Sequence, residues 1–355
     1  MKVYYKIIIS FLVLFFVIQN YSEAQYMSTK VKGKYKHYID SLKKHEYKYI
    51  FPIGGQEAYR KGFDIPYPAG IMVNYIYMDQ GLYFHNLQLG LLTDNVDIPL
   101  TPVDFIQFEK VKNKSYSYNI RPDVWILPFL NIYGIFGYGR SKTEVNVSIP
   151  EVANFNSIVD QGITTSGVGV LLAGGLGPVW ISGDFNWTWN KPELVDEAVR
   201  VNVMGIRIGH TFVFANSRPD RNIAVWVGGM RVNMAAQTVG TVKLIDALPP
   251  DVWNRRDEIV DNYHQWYNSL DPNNPGDKIK QEVANRILTP IVDRLEAADG
   301  ESAVRYGIEK EPINKWNMLV GFQFQYNKRW MLRSEAGIIG DRKSILVSLN
   351  YRFPI

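Results

Sequence analysis

The sequence predicts an all-β chain, a closed antiparallel transmembrane β-barrel of about 12 strands with one small helical insertion. Three observations lead there. The chain carries 22 Tyr, 17 Phe and 9 Trp but no cysteine. Beyond its N-terminal segment, no apolar run reaches the roughly 20 residues that a spanning helix needs. Apolar and polar residues instead alternate over about ten positions at a time, as a strand does between lipid and lumen.

The chain opens "MKVYYKIIISFLVLFFVIQNYSEAQ". Lys2 and Lys6 form a basic head, Ile7 to Ile18 an apolar core, and Ser22 and Ala24 the small residues of a cleavage site before Gln25. Residues 1–24 are therefore expected to be a signal peptide, outside the fold. Without cysteine, the exported chain has neither disulfides nor a thiol for a lipid anchor. Net charge is +4 with no polybasic tract, which gives no case for nucleic acid. These traits together point to a barrel in a bacterial outer membrane. Residues 25–67 then form a periplasmic segment, where "KYKHYIDSLKKHEYKYIF" suggests a short helix acting as plug or tether.

Strands are expected near 68–78, 82–92, 103–111, 115–127, 131–148 and 162–176, then 179–190, 198–214, 222–234, 316–326, 329–339 and 343–353. This makes 68–245 the first nine strands and 316–355 the last three. The stretch "VWILPFLNIYGIFGY" is too short for a spanning helix and is broken by Pro128, Gly134 and Gly137. It reads as two strands meeting at "PFLN", with Trp125, Phe129 and Tyr133 inward, so the lumen should not be a wide pore. In "WNMLVGFQFQY", Trp316, Met318, Val320, Phe322, Phe324 and Tyr326 share the lipid face, and Gln323 and Gln325 the lumen. An aromatic girdle is expected from Trp187, Trp189, Trp316, Tyr326, Trp330, Tyr351 and Phe353. Two strands change apolar phase midway, which predicts bulges, one near Met204-Gly205.

The ending "SILVSLNYRF" resembles the C-terminal insertion signal of outer-membrane β-barrel proteins, and the mature chain resembles Bacteroidota-type members of that superfamily. The resemblance implies outer-membrane lipids and the barrel assembly machinery as partners. It departs in one respect, since Pro354 and Ile355 follow the final aromatic, Phe353.

Residues 246–315 are charged and proline-broken, and read as a helical insertion. Asp251 and Asp277 are its expected helix caps, and Pro290 should kink or end the second helix. With the last strand running toward the periplasm, the insertion falls on the extracellular side, as a cap on the mouth or a plug within it.

No metal-ligand cluster, phosphate loop or nucleophile elbow is present, so no metal and no cofactor are expected. Neither His85 nor His210 has a serine two positions away on its face, so catalysis is not expected. The candidate functional residues are the charges of lumen parity: Asp184, Arg200, Arg207, Arg231, Arg333, Glu335 and Arg352. They would stiffen the barrel by pairing, or form an arginine-biased constriction for small anionic solutes in a narrow or gated channel. A structural or adhesive surface barrel stays open, and a lipid-modifying barrel enzyme fits less well.

Overall fold

A computed structural model of the chain describes residues 36–92, 97–176, 179–214, 220–234 and 237–355. The expected signal peptide lies outside the described residues.

Ten strands close the ring: β1 (Ala69–Leu92), β3 (Gln107–Leu127), β4 (Leu130–Ile149), β5 (Ala153–Leu176), β6 (Val179–Pro192), β7 (Val199–Val213), β8 (Asn222–Met234), β11 (Trp316–Gln325), β12 (Trp330–Gly337) and β13 (Lys343–Phe353). Each pairs antiparallel with its neighbours, and β13 closes on β1 from Ala69 opposite Phe353 to Asp79 opposite Lys343. The Pro128-Phe129 turn and the Ala69–Phe353 end of that closing pair define a terminal rim.

The expected strand count was too high because two apparent turns are strand. Asp79-Gln80-Gly81 runs straight on within β1, opposite Lys114, Asn113 and Lys112 of β3, which is likewise continuous. Asp79 also lies opposite Lys343, so each neighbouring strand sets a lysine across from it where the composition suggests a loop. β1, β3, β4 and β5 are consequently 24, 21, 20 and 24 residues long, a tall wall beside the shorter β6–β8 and β11–β13.

The expected bulges in β7 and β8 are absent. The two strands keep unbroken register with each other, β7 also with β6 and β8 also with β11. Alternation carries straight through, so Val201, Val203 and Val232 face inward while Arg200 and Arg231 face outward. This corrects the lumen placement of both arginines. Arg200 lies opposite Trp189, and Arg231 opposite Trp316, at the girdle level where a long guanidinium side chain reaches the polar interface.

Three further strands lie outside the ring: β2 (Asp97–Pro102), β9 (Gln237–Lys243) and β10 (Ala303–Pro312). β10 takes over the edge of β1 where β13 leaves it, from Leu82 opposite Pro312 to Leu92 opposite Ala303, and β9 pairs with β10. The 303–312 part of the expected helical insertion is thus strand. Its sequence "AVRYGIEKEP" has a period of two, with Val304 and Ile308 buried on one side.

The helices form a roof: α1 (Pro250–Asn254), α2 (Arg256–Ser269), α3 (Pro275–Val283) and α4 (Thr289–Glu296). Asn274 caps α3, its side chain accepting from the Gly276 and Asp277 amides, so Asp277 sits in the first turn instead of at the cap. Asp251 likewise lies in the first turn of α1, behind Pro249. Pro290 neither kinks nor ends the path, because a π-turn over Ala284–Leu288 widens the helix just before it. The roof helices bury Ile259, Tyr263, Trp266, Ile287 and Leu295 against Leu91 of β1, Val103, Val152, Ala153 and Val304. The β9–β10 ladder reaches the β6–β7 connection, where Asp196 N–H donates to Val239 O at 3.0 Å and Tyr306 OH to Leu194 O at 3.0 Å. At the terminal rim, the chain before β1 packs Leu42, Ala58, Tyr59, Phe63 and Ile65 into a separate small core. Lys328 Nζ ties that core to the barrel through Asp64, at 2.8 Å.

Candidate functional site

The site is the lumen. Alternation along β3, β6, β7, β12 and β13 aims Arg121, Asp123, Asp184, Arg207, Arg333, Glu335 and Arg352 inward, and apolar partners at the next positions face out. Arg207 is the hub. Its Nε donates to Glu335 Oε2 at 2.6 Å, its Nη2 to Oε1 at 3.0 Å, and its Nη1 to Asp184. Glu335 also accepts from Arg333 Nη2 at 3.0 Å and from Trp226 Nε1 at 2.9 Å. The Arg333 guanidinium lies 4.7 Å from the Trp226 ring centroid. The network therefore joins β6, β7, β8 and β12 across the interior.

A second pairing closes the lower lumen. Arg352 reaches Asp123 at 3.0 Å and donates to the carbonyl oxygens of Tyr67 at 2.8 Å and Pro68 at 3.2 Å, holding the plug segment against the barrel floor. Asn131 donates to Asp123 at 2.7 Å. Beside it on β4, the Tyr133 hydroxyl donates to Asn186 at 2.7 Å, and Asn186 donates to Asp184 at 2.8 Å. Trp125 is 5% exposed and Tyr133 is 3% exposed, so the inward aromatics of the "VWILPFLNIYGIFGY" stretch fill space. Among the described residues, a cavity of about 80 Å³ here is lined by four arginines and three carboxylates. It has room for a few waters.

Among the expected lumen charges, the structure brings together Asp184, Arg207, Arg333 and Glu335, and sets Arg352 nearer the floor. Arg121 and Asp123 were missed. The strand "SYSYNIRPDVWIL" held the signal, because both share the parity of Trp125 opposite the exposed Tyr116, Tyr118 and Ile120.

The outward face is apolar along the ring. Ile71, Val73, Phe136, Val168, Ile208, Val225, Phe322, Leu332 and Leu349 are all exposed. Trp187, Trp189 and Trp316 lie toward the roof end of this belt, and Tyr326, Trp330, Tyr351 and Phe353 at the terminal rim. Trp330 and Tyr351 have ring centroids 4.7 Å apart, and Arg329 donates to the Tyr351 hydroxyl at 2.9 Å. An apolar belt between aromatic rows is what a membrane-spanning barrel presents to lipid. His210 sits on this outer face against Phe212, with ring centroids 4.5 Å apart. No group of three or more potential metal ligands occurs among the described residues.

No protein-family model matches the chain, and neither does any curated protein. Solved structures do match in fold. The β domain of the Bordetella autotransporter BrkA is 7% identical with a TM-score of 0.36, over 81% of this chain and 100% of that one. The translocator domain of the autotransporter NalP from Neisseria meningitidis is 10% identical with a TM-score of 0.33, over 81% and 89%. The toluene transporter TodX of P. putida is 7% identical with a TM-score of 0.26, over 82% and 91%. The chain is a closed antiparallel β-barrel, and its belt is consistent with a membrane location.

Proposed function

We propose that this chain is an outer-membrane barrel that stays closed at rest and anchors its roof at the cell surface, in a structural or adhesive role without catalysis. The observation that carries this reading is the crossed lumen, where the Arg207–Glu335–Asp184 network and inward aromatics pack across the interior beside a cavity of about 80 Å³. Outer-membrane lipids meet the belt, and the assembly machinery takes β13 in its C-terminal role. With β13 running toward the periplasm, the roof faces outward and the plug segment inward. Single-channel recording on the refolded full chain is the test, and a silent bilayer is expected. Stable open steps would overturn the reading in favour of a narrow or gated channel for small anionic solutes. That second reading draws on the arginine excess in the lining. Sidedness is tested separately: a cysteine at Asp271 should react with an impermeant thiol reagent on intact cells. One at Lys328 should react only after the outer membrane is opened.

A further inference from the structure

The lumen charges do not balance. Each carboxylate lining the cavity is held by an arginine: Asp123 by Arg352, Asp184 by Arg207, and Glu335 by Arg207 and Arg333. Arg121 is the fourth arginine of the lining, and it makes no ion pair with any described residue. Its guanidinium lies 3.8 Å from the centroid of the Tyr133 ring, and its buried Nε has no hydrogen-bond partner among the described residues. Tyr133 is fixed in turn by its hydroxyl bond to Asn186. A cation against an aromatic face in a confined lumen keeps its charge but gains little to neutralise it. A desolvated charge without a counter-ion is costly, and proteins pair such charges or bind an ion against them.

We propose that the cavity beside Arg121 is a binding site for one small monovalent anion of the halide or nitrate class, which completes the charge balance of the lumen. The size of the cavity suggests the class, since about 80 Å³ is room for such an ion with a water or two. The donors set the sign. Arginines supply fixed N–H groups, and the carboxylates that would repel an anion are already engaged by arginine or asparagine donors. The site rests on the closed lumen of the proposed function, and its failure is separable from failure of that reading, because conductance and anion binding are read independently.

The test is chloride-35 line broadening on the full chain refolded in zwitterionic vesicles. The wild type should broaden the chloride line, nitrate should reverse the effect, and gluconate should not. Arg121→Gln should weaken chloride binding by about tenfold or more. Arg121→Lys should keep most of it, and Arg329→Gln, at the exposed terminal rim, should leave it unchanged. Broadening that persists undiminished in Arg121→Gln would overturn the site. If Arg121→Gln fails to assemble, the wild type decides alone. Its unfolding midpoint should then be higher in chloride than in gluconate at equal ionic strength, and equal midpoints would overturn the proposal.

Discussion

Strand β1 passes through two surroundings, and its side chains reverse between them. Below Gly81 it turns Ile71, Val73 and Tyr75 outward and Asn74 and Gln80 inward. Past Asn86 it turns Leu89 and Leu91 onto the roof helices instead. Between the two, Asn86 has φ of 52° and the register with β10 slips between His85 and Gln88. A bulge of one residue exchanges the faces of everything beyond it. The lower part obeys the rule for lipid, apolar outside, and the upper part the rule for water, apolar inside. Phe84, Phe108, Leu82, Val111 and Val145 form the apolar collar where one rule gives way to the other.

The sharpest way to break this comparison is in the polar interior of the lower part. Glu335→Gln leaves Arg207 and Arg333 facing each other with one carboxylate fewer, and should cost about 3–5 kcal/mol. Denaturant midpoints in vesicles read it, and a loss below 1 kcal/mol would show that the network is not holding the barrel. In the upper part the equivalent change is Ile287→Ala, at a fully buried position of the roof core. It should cost the roof about 2–5 kcal/mol. Faster tryptic cleavage after Lys280 is expected, with the gel mobility of the unheated barrel unchanged. Loss of both signals together would mean that the two parts fold as one.

The lipid rule itself is tested at Phe322, exposed on the belt midway between Trp316 and Tyr326. Phe322→Arg should cost about 2–4 kcal/mol, and the loss should shrink toward zero when the same change is made at Trp316. A smaller effect belongs to the collar. Burial pushes Lys310 down to about 8, with its Nζ 5.3 Å from the Phe84 ring centroid. A lysine whose pKa falls on folding binds more protons when unfolded, so stability should rise as pH climbs from about 8 toward the ordinary lysine value near 10.4. Lys310→Met should flatten that slope and raise the midpoint at pH 7. A slope unchanged in the variant would locate the titrating group elsewhere.

The sequence made the lower part legible and the upper part largely not, for one physical reason. In lipid each strand must alternate strictly, so β6, β11, β12 and β13 could be placed within a residue or two from parity alone. Parity also put Asp184, Arg207, Arg333, Glu335 and Arg352 in the lumen. It failed where apolar inward positions near the roof imitated a change of phase, at Val201, Val203 and Val232, and so misplaced Arg200 and Arg231. Above the membrane, β10 and the β1 extension follow the ordinary patterns of a water-soluble sheet. A chain read for lipid alternation assigns β10 to the helical insertion and reads the β1 extension as a separate barrel strand. The pairing of Arg207 with Glu335, 128 positions apart, depends on ring closure and is invisible to any local pattern.

The join between β8 and β11 has a consequence for how the chain tolerates change. Val232 N–H donates to Lys315 O at 2.9 Å, so the segment that builds the roof leaves and re-enters the ring at a single hairpin-wide gap. Loop entropy grows by only about 0.6 kcal/mol per doubling, so an excursion of roughly eighty residues costs the ring about 3 kcal/mol more than a short turn would. The roof is therefore laid out as a cassette: every lipid-facing strand pair of the ring is made outside the stretch between Met234 and Lys315. Surface variation in such a protein can accumulate there while the barrel beneath stays the same.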